Sequence, residues 1–221
     1  MSTIEGNTAR TNGQYFKGFT TITSTALLFG KTSLHMTASQ LILIGVLTPF
    51  AGIIGSLAWP RVQRRLGWTN RTMLVTQILL ASFIPLYGCL GFLPIFEGPP
   101  PAPGTVEAQK LRFGGLTRPE EMFVLAVYFG MVYGAFQGYA RAFYAELIPP
   151  GEEARWYGLF SITDKSSSFL GPLVVGIIAD LTGNIRYSFF FLIVMVWIAV
   201  PPLLAVNVDQ GRIDAKSYRI D

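Results

Sequence analysis

The stretch LILIGVLTPFAGIIGSLAW, residues 41–59, decides the fold class because it carries no charged side chain. It lies within a longer uncharged run from Thr32 to Pro60. A helix needs about 20 apolar residues to cross about 30 Å of hydrocarbon, and a charge at the bilayer centre is costly. The run therefore predicts a transmembrane helix.

Five further stretches on either side of this run have similar apolar character. Two carry no charge. Of the other three, one holds Lys17, one is interrupted by Arg141 and has Glu146 near its end, and one holds the pair Asp164 and Lys165 with Asp180 near its end. The stretches are Tyr15–Gly30, Thr72–Phe96, Met122–Ile148, Tyr157–Leu181 and Tyr187–Val208. The sequence thus predicts an all-α membrane protein with six transmembrane helices, of which the first is the shortest and most polar.

The composition supports this class and excludes others. The chain has 51% hydrophobic and 14% charged residues, against about 25% charged in soluble domains. A single cysteine, Cys89, and a single histidine, His35, leave little material for a metal site, so no metal and no cofactor is expected. The net charge of +4 comes from basic residues beside apolar runs, which indicates membrane topology rather than nucleic-acid binding.

The distribution of basic residues predicts the orientation. With six spans both tails lie on one side, and that side carries nine Lys and Arg residues against five opposite. The positive-inside rule makes it the cytoplasm. The predicted organisation is a cytoplasmic tail at 1–14, a three-helix repeat at 15–94, a flexible lumenal loop at 95–120, a second three-helix repeat at 121–207 and a cytoplasmic tail at 208–221.

The fourth span contains three glycines at four-residue spacing, Gly130, Gly134 and Gly138. Small residues at this spacing form a ridge on one side of a helix and let a neighbouring backbone approach closely. They are predicted to be helix-packing residues.

A polar strip runs along the same span. Tyr133 and Gln137 lie deep in it and are candidates for contact with a transported solute, although an aromatic residue there can equally pack against neighbours. Arg141 lies near the membrane face. It either extends to the interface and holds Glu146 or a loop carbonyl, or takes part in gating.

The fifth span carries the best candidate functional stripe of the chain. Ser161, Asp164, Lys165 and Ser168 follow i, i+3, i+4, i+7 spacing and share one helix face. Two interpretations remain open for the charges. One is a buried ion-pair network that locks helix packing, with Arg141 as a candidate member, and the other is a gate or proton-coupling site.

The first span offers a hydroxyl face formed by Thr21, Ser24 and Thr25, which could hydrogen-bond a polar solute in the pathway. Hydroxyls in membrane helices also bond to carbonyls of their own helix, so a purely structural role is open too.

Three arginines, Arg61, Arg64 and Arg65, follow the second span and are predicted to anchor a cytoplasmic loop. With Gly55 and Pro60 before them, they also resemble the loop after the second helix of each half in major facilitator transporters.

The segment AELIPPGEEARWYGLFSITDKSSSFLGPLVVGIIADLTGNIRYSFFFL, residues 145–192, closely resembles the fungal autophagy-related vacuolar amino-acid effluxers of the major facilitator superfamily. Shorter phrases beginning at Ser24, Leu43 and Ile84 support the resemblance, which runs from about Gly18 to Gly211.

The resemblance implies a multi-pass vacuolar membrane protein that exports amino acids, particularly neutral ones, to the cytosol during autophagy. It also implies that the six spans are the C-terminal half of a major facilitator fold, built from two inverted three-helix repeats. The expected partners are the lipid bilayer, an amino-acid substrate, and either a missing N-terminal half or a second copy of the chain.

Two alternatives compete with a transporter. One is a six-helix structural or regulatory membrane protein, or an inactive fragment. The other is a membrane-embedded enzyme, for which the sequence offers only Ser161 with Lys165, since no hydrolase, metalloprotease or phosphate-loop motif is present. The chain is therefore not expected to be an enzyme.

Overall fold

The computed structural model describes residue 19 and the ranges 21–93, 114–149, 153–167, 169–198 and 200–205, together with residues 151 and 208. All regular structure within these residues is helical. The predicted tails, apart from residue 208, and most of the predicted lumenal loop lie outside the described residues. The chain is an all-α membrane protein.

Eight α-helices follow one another along the described chain. The first, α1, covers residues 21–32. The others are α2 (Ala38–Leu66), α3 (Asn70–Leu90), α4 (Pro119–Ala145), α5 (Glu153–Ser167), α6 (Leu170–Thr182), α7 (Ser188–Ile198) and α8 (Val200–Ala205), with a 3₁₀ turn at Ile185–Tyr187 before α7.

Local sequence signals account for several helix boundaries. Thr37 begins α2 with a capping box, in which its side chain and that of Gln40 satisfy each other's backbone N–H groups. Gly67 ends α2 with φ 64°, a left-handed conformation that glycine adopts without strain. Thr69 caps α3, and Pro119 occupies the first turn of α4, where a missing N–H costs nothing.

Four helical segments are long and apolar enough to cross a membrane: Ala38–Leu66, Asn70–Leu90, Pro119–Ala145 and Ile185–Ala205. They correspond to the second, third, fourth and sixth predicted spans. The predicted fifth span, Tyr157–Leu181, is divided between α5 and α6. The 13 residues of α6 reach about 20 Å, which is too short to span the bilayer alone. The six-span count therefore stays a prediction.

The core forms where α4 packs against α2 on one side and α3 on the other, with α7 against α3. Aromatic rings fill much of it. Phe19 stacks on Phe136 with their ring centroids 4.0 Å apart, and both side chains are fully buried. α2 keeps a broad apolar face exposed, including Ile42, Phe50 and Ile53. This face suits hydrocarbon or another apolar surface rather than water.

Candidate functional site

A cavity of about 550 Å³ lies between α1, α2 and α4, with α3 and α7 contributing to its wall. Most of its lining is aliphatic, aromatic or glycine. Its polar side chains are neutral: Thr23, Thr48, Ser56, Tyr133 and Gln137. Among the described residues no charged side chain lines it. The volume is typical of small-molecule sites, which span about 300–1,000 Å³.

The cavity brings together two of the sequence-predicted pathway residues. Gln137 donates a hydrogen bond from Nε2 to the Tyr133 hydroxyl at 2.5 Å, as residues four apart on a helix can do. The Oε1 atom of Gln137 is buried and accepts no hydrogen bond from the described residues. A buried carbonyl oxygen without a donor is costly, and a solute with N–H groups would satisfy it.

The aromatic ring of Tyr133 is held in place by stacking. Its centroid lies 5.5 Å from that of Phe19 and 5.3 Å from that of Phe129. These contacts fix the position of the hydroxyl, so that the Tyr133–Gln137 pair presents a defined polar group on a mostly apolar wall.

The hydroxyls on the cavity wall from α1 and α2 bond within their own helices. Thr23 donates to the carbonyl of Phe19, Thr48 to that of Ile44 and Ser56 to that of Ile53. This is the structural role that the sequence left open for such side chains.

The hydroxyl face predicted on α1 does not line this cavity. Thr21 and Thr25 are each 1% exposed, and Thr21 packs directly against Gly171 of α6. Ser24 is half-buried, and Thr23, which sequence reasoning passed over, is the α1 hydroxyl in the wall. Helical rotation explains the difference, because residues 22, 23, 26 and 27 face the cavity and 21 and 25 lie on the adjacent face.

The residues predicted to form the gating network are only partly described. Arg141 is exposed near the end of α4, and Ser161 and Lys165 are exposed on α5. Ser168 and the side chain of Asp164 lie outside the described part of the chain. The hydroxyl of Tyr157 donates to the Arg141 carbonyl at 3.4 Å, and that of Tyr144 to the Trp156 carbonyl at 2.9 Å, which ties α5 to α4.

Two of the three predicted packing glycines lie at the contact between α2 and α4. A Cβ at Gly130 would collide with the Thr48 carbonyl, and one at Gly134 with the backbone of Gly52. Gly55 of α2 is equally close to the Met131 backbone. Nothing lies within 4 Å of a Cβ at Gly138, so the close contact ends before the third glycine. We call this contact the glycine seam; Gly52, Gly130 and Gly134 also line the cavity.

A buried carboxylate at the beginning of α4 was missed by sequence reasoning. Glu121 is 1% exposed and accepts hydrogen bonds from the backbone N–H groups of Gly114 and Leu116, each at 2.9 Å. It also accepts from the hydroxyls of Thr117 at 3.1 Å and Tyr87 at 2.8 Å. Four donors offset the cost of burying the charge.

Arg186, in the 3₁₀ turn before α7, binds the loop 114–117 that also contacts Glu121. Its guanidinium donates to the carbonyls of Gly115 at 2.8 Å and Leu116 at 2.9 Å. It also lies over the Phe29 ring, 5.1 Å from the centroid. We call residues 114–117 with Glu121 and Arg186 the clasp.

The opposite end of the bundle has its own polar contacts. Asn70 donates to Glu146 at 2.5 Å and accepts from Gln63 at 2.9 Å, which joins the α2–α3 turn to the end of α4. The predicted loop anchors lie beside this turn. Arg61 donates to the Leu57 carbonyl of its own helix. Arg64 and Arg65 are exposed in the last turn of α2, where a positive charge interacts favourably with the negative end of the helix dipole.

A carboxylate in the first turn of α5 accepts a hydrogen bond from the backbone just before that helix. The backbone N–H of Gly151 donates to the Glu153 carboxylate at 3.1 Å, and this bond holds the pKa of Glu153 below its ordinary value.

These features define a helical membrane protein with a cavity between its helices. A family profile described as "Vacuole effluxer Atg22 like" matches residues 15–216. The chain therefore belongs to the Atg22-like vacuole effluxer family.

Named relatives agree with this assignment. The chain is 46% identical to autophagy-related protein 22 of Cryptococcus neoformans, over 91% of this chain and 33% of the relative. It is 41% identical to autophagy-related protein 22-1 of Neosartorya fischeri, over 90% and 30% respectively. The chain thus spans about a third of the length of these curated relatives. No solved structure matches it significantly.

Proposed function

We propose that this chain is a transport unit of a vacuolar effluxer that moves amino acids, chiefly neutral ones, from the vacuole to the cytosol by alternating access. The observation that carries the proposal is the cavity between α1, α2 and α4, in which the Tyr133–Gln137 pair lies on a wall that holds no charged side chain among the described residues. Family membership supports the vacuolar setting and the direction of transport.

The chemistry of the cavity favours a cargo of small size. Its volume of about 550 Å³ accommodates a small solute, and its apolar wall favours uncharged side chains. The unpaired Gln137 carbonyl oxygen suits an ammonium or amide N–H donor. A zwitterion with an apolar side chain combines these properties.

The mechanism we propose is a change in the relative position of packed helices around the cavity. The glycine seam brings backbones together without interlocking side chains, so α2 and α4 can shift with little repacking. Pro49 in α2 and Pro85 in α3 each remove a backbone hydrogen bond and permit a bend. Asp164, Lys165 and Arg141, with Ser161 and Ser168, would form the polar gate on the cytoplasmic side.

The proposed topology has six spans, cytoplasmic tails and the clasp on the lumenal side. The exposed apolar face of α2 would contact lipid or a second six-helix unit, supplied by a longer chain or by another copy of this one. Thr21, Ser24 and Thr25 would support the pathway from behind the cavity wall.

Efflux of radiolabelled leucine from proteoliposomes tests the proposed function. Two proteins should be compared: this chain alone, and a chimera in which this chain replaces the matching third of the Cryptococcus relative. We expect the chimera, at the least, to give a higher rate of leucine efflux than empty vesicles. If neither protein moves leucine, alanine or any other neutral amino acid, although the unmodified relative does, the proposal fails.

Asp164→Asn is expected to lower leucine efflux about tenfold or more while leaving membrane insertion unchanged. The reason is that a gate formed by Asp164 and Lys165 loses its charge attraction when the carboxylate becomes an amide. Asp180→Asn, an exposed carboxylate at the end of α6, is the matched control. Normal efflux from the Asp164→Asn protein would remove this residue from the gate.

A further inference from the structure

One residue of the clasp also belongs to the cavity. Leu116 lines the cavity and is 2% exposed, while its backbone N–H donates to Glu121 and its carbonyl accepts from Arg186. The same residue is thus part of the cavity wall and the point at which the buried carboxylate of Glu121 and the half-buried guanidinium of Arg186 bind the backbone.

The clasp draws on elements that are distant in sequence. Glu121 begins α4, its donor Tyr87 lies in α3, Arg186 precedes α7 and the Phe29 ring belongs to α1. A Cβ at Gly91, just after α3, would collide with both the Arg186 guanidinium and the Gly115 carbonyl. The loop is therefore closely surrounded where these helices meet.

The two charged groups bind different backbone atoms of the loop. The carboxylate takes the N–H groups of the loop, and the guanidinium takes its carbonyls. Opposite charges on the two sides of one loop attract each other through it, and that attraction is strong where water is excluded. Removing either group leaves buried backbone atoms without partners.

The loop backbone takes a conformation that its sequence alone does not favour. Leu116 has φ 57°, in the left-handed region that a branched side chain seldom adopts, and it follows Gly115 at φ 71°. Such a conformation persists when the surroundings hold it, and it reverts when they release it. The clasp contacts are what hold it here.

We propose that Leu116 is the gate at this end of the cavity, held closed by Glu121 and Arg186. Release of either charge lets the loop leave its left-handed conformation, withdraws the leucine side chain and opens the cavity to the compartment on the clasp side. This inference rests on the proposed function, because it treats the cavity as the pathway, but it concerns access to the cavity and can be measured without transport.

The test is labelling of a cysteine inside the cavity. Ala126 lies on α4 one turn beyond Met122, lines the cavity and is nearly buried. Ala126→Cys would be placed in a Cys89→Ala background, and a membrane-impermeant maleimide would be added from the clasp side of reconstituted vesicles. Labelling is expected to be slow with the intact clasp and at least tenfold faster with Glu121→Gln or Arg186→Met.

Two further variants keep the inference falsifiable if the charge variants misfold. Leu116→Ala keeps every backbone contact of the clasp and removes only the side chain, so it should also speed labelling. Lys31→Gln removes an exposed charge near the end of α1 and should leave the rate unchanged.

The labelling rates distinguish a gate at Leu116 from a purely structural clasp. Faster labelling in Leu116→Ala and in either charge variant supports the gate, whether or not the protein transports leucine. An unchanged rate in Leu116→Ala overturns it, as does fast labelling of Ala126→Cys with the clasp intact.

Discussion

Gly134→Leu is expected to destabilise the protein by about 3 kcal/mol or more, which corresponds to a fall of roughly 6–12 °C in melting temperature. Gly134 faces the backbone of Gly52 so closely that even a Cβ would collide with it. A flexible side-chain neighbour could move aside, but a helix backbone cannot, so α2 and α4 must separate. Thermal unfolding of the purified protein in detergent measures the effect.

The same helix supplies the control for this prediction. Gly138→Leu lies one turn further along, at a position where nothing is within 4 Å of a Cβ. We expect its melting temperature to stay within about 2 °C of the parent, since surface substitutions rarely cost more than about 0.5 kcal/mol. Equal effects at the two glycines would contradict the assigned α2–α4 contact.

Gln137→Leu is expected to reduce leucine efflux about tenfold or more with little loss of folded protein. The substitution keeps the approximate size of the side chain but removes the buried oxygen that we assign to the solute, and with it the bond to Tyr133. A hydrogen bond to a charged group contributes about 1.5–3 kcal/mol, which is a factor of roughly ten or more in affinity. Efflux from proteoliposomes at several leucine concentrations measures the change.

Two companion variants limit the interpretation. Tyr133→Phe removes only the hydroxyl that accepts from Gln137 and should give a smaller loss of the same kind. Thr76→Val removes a hydroxyl of α3 that bonds to its own helix, outside the cavity wall, and should transport like the parent. Full efflux from Gln137→Leu would remove this residue from the solute site.

The features that could be predicted are those that depend only on the local sequence of one helix. Absence of charge over residues 41–59 predicted α2, and the four-residue glycine spacing predicted a close contact along α4. Both signals are local and reflect a single physical demand, burial in lipid or close approach of a backbone. The family resemblance was confirmed as well.

The local sequence does not decide which face of a helix meets which neighbour. The spacing of Thr21 and Thr25 correctly put them on one face, but nothing local says that this face meets α6 rather than the cavity. The division between α5 and α6 has a similar origin. The many polar residues of α5 need partners on other helices, so the local sequence does not decide whether Tyr157–Leu181 crosses the membrane as one span.

The clasp could not be found from sequence for another reason. Glu121 reads as an ordinary acidic residue in the first turn of a helix, where the dipole favours negative charge. Its donor Tyr87 lies 34 positions earlier, and Arg186 follows 65 positions later, so only the folded chain brings them to one loop. A buried carboxylate and a positive φ at a leucine are visible only in three dimensions.

The central claim is that the cavity between α1, α2 and α4 is the path of the solute. The most direct test is leucine efflux before and after complete modification of Ala126→Cys with a bulky maleimide, in the chimeric transporter with its other cysteines replaced. Lys31→Cys, modified to the same extent, serves as the control. The account predicts that modification at Ala126 stops efflux, that leucine slows the modification, and that modification at Lys31 changes nothing. Unchanged efflux after complete modification at Ala126 would contradict it.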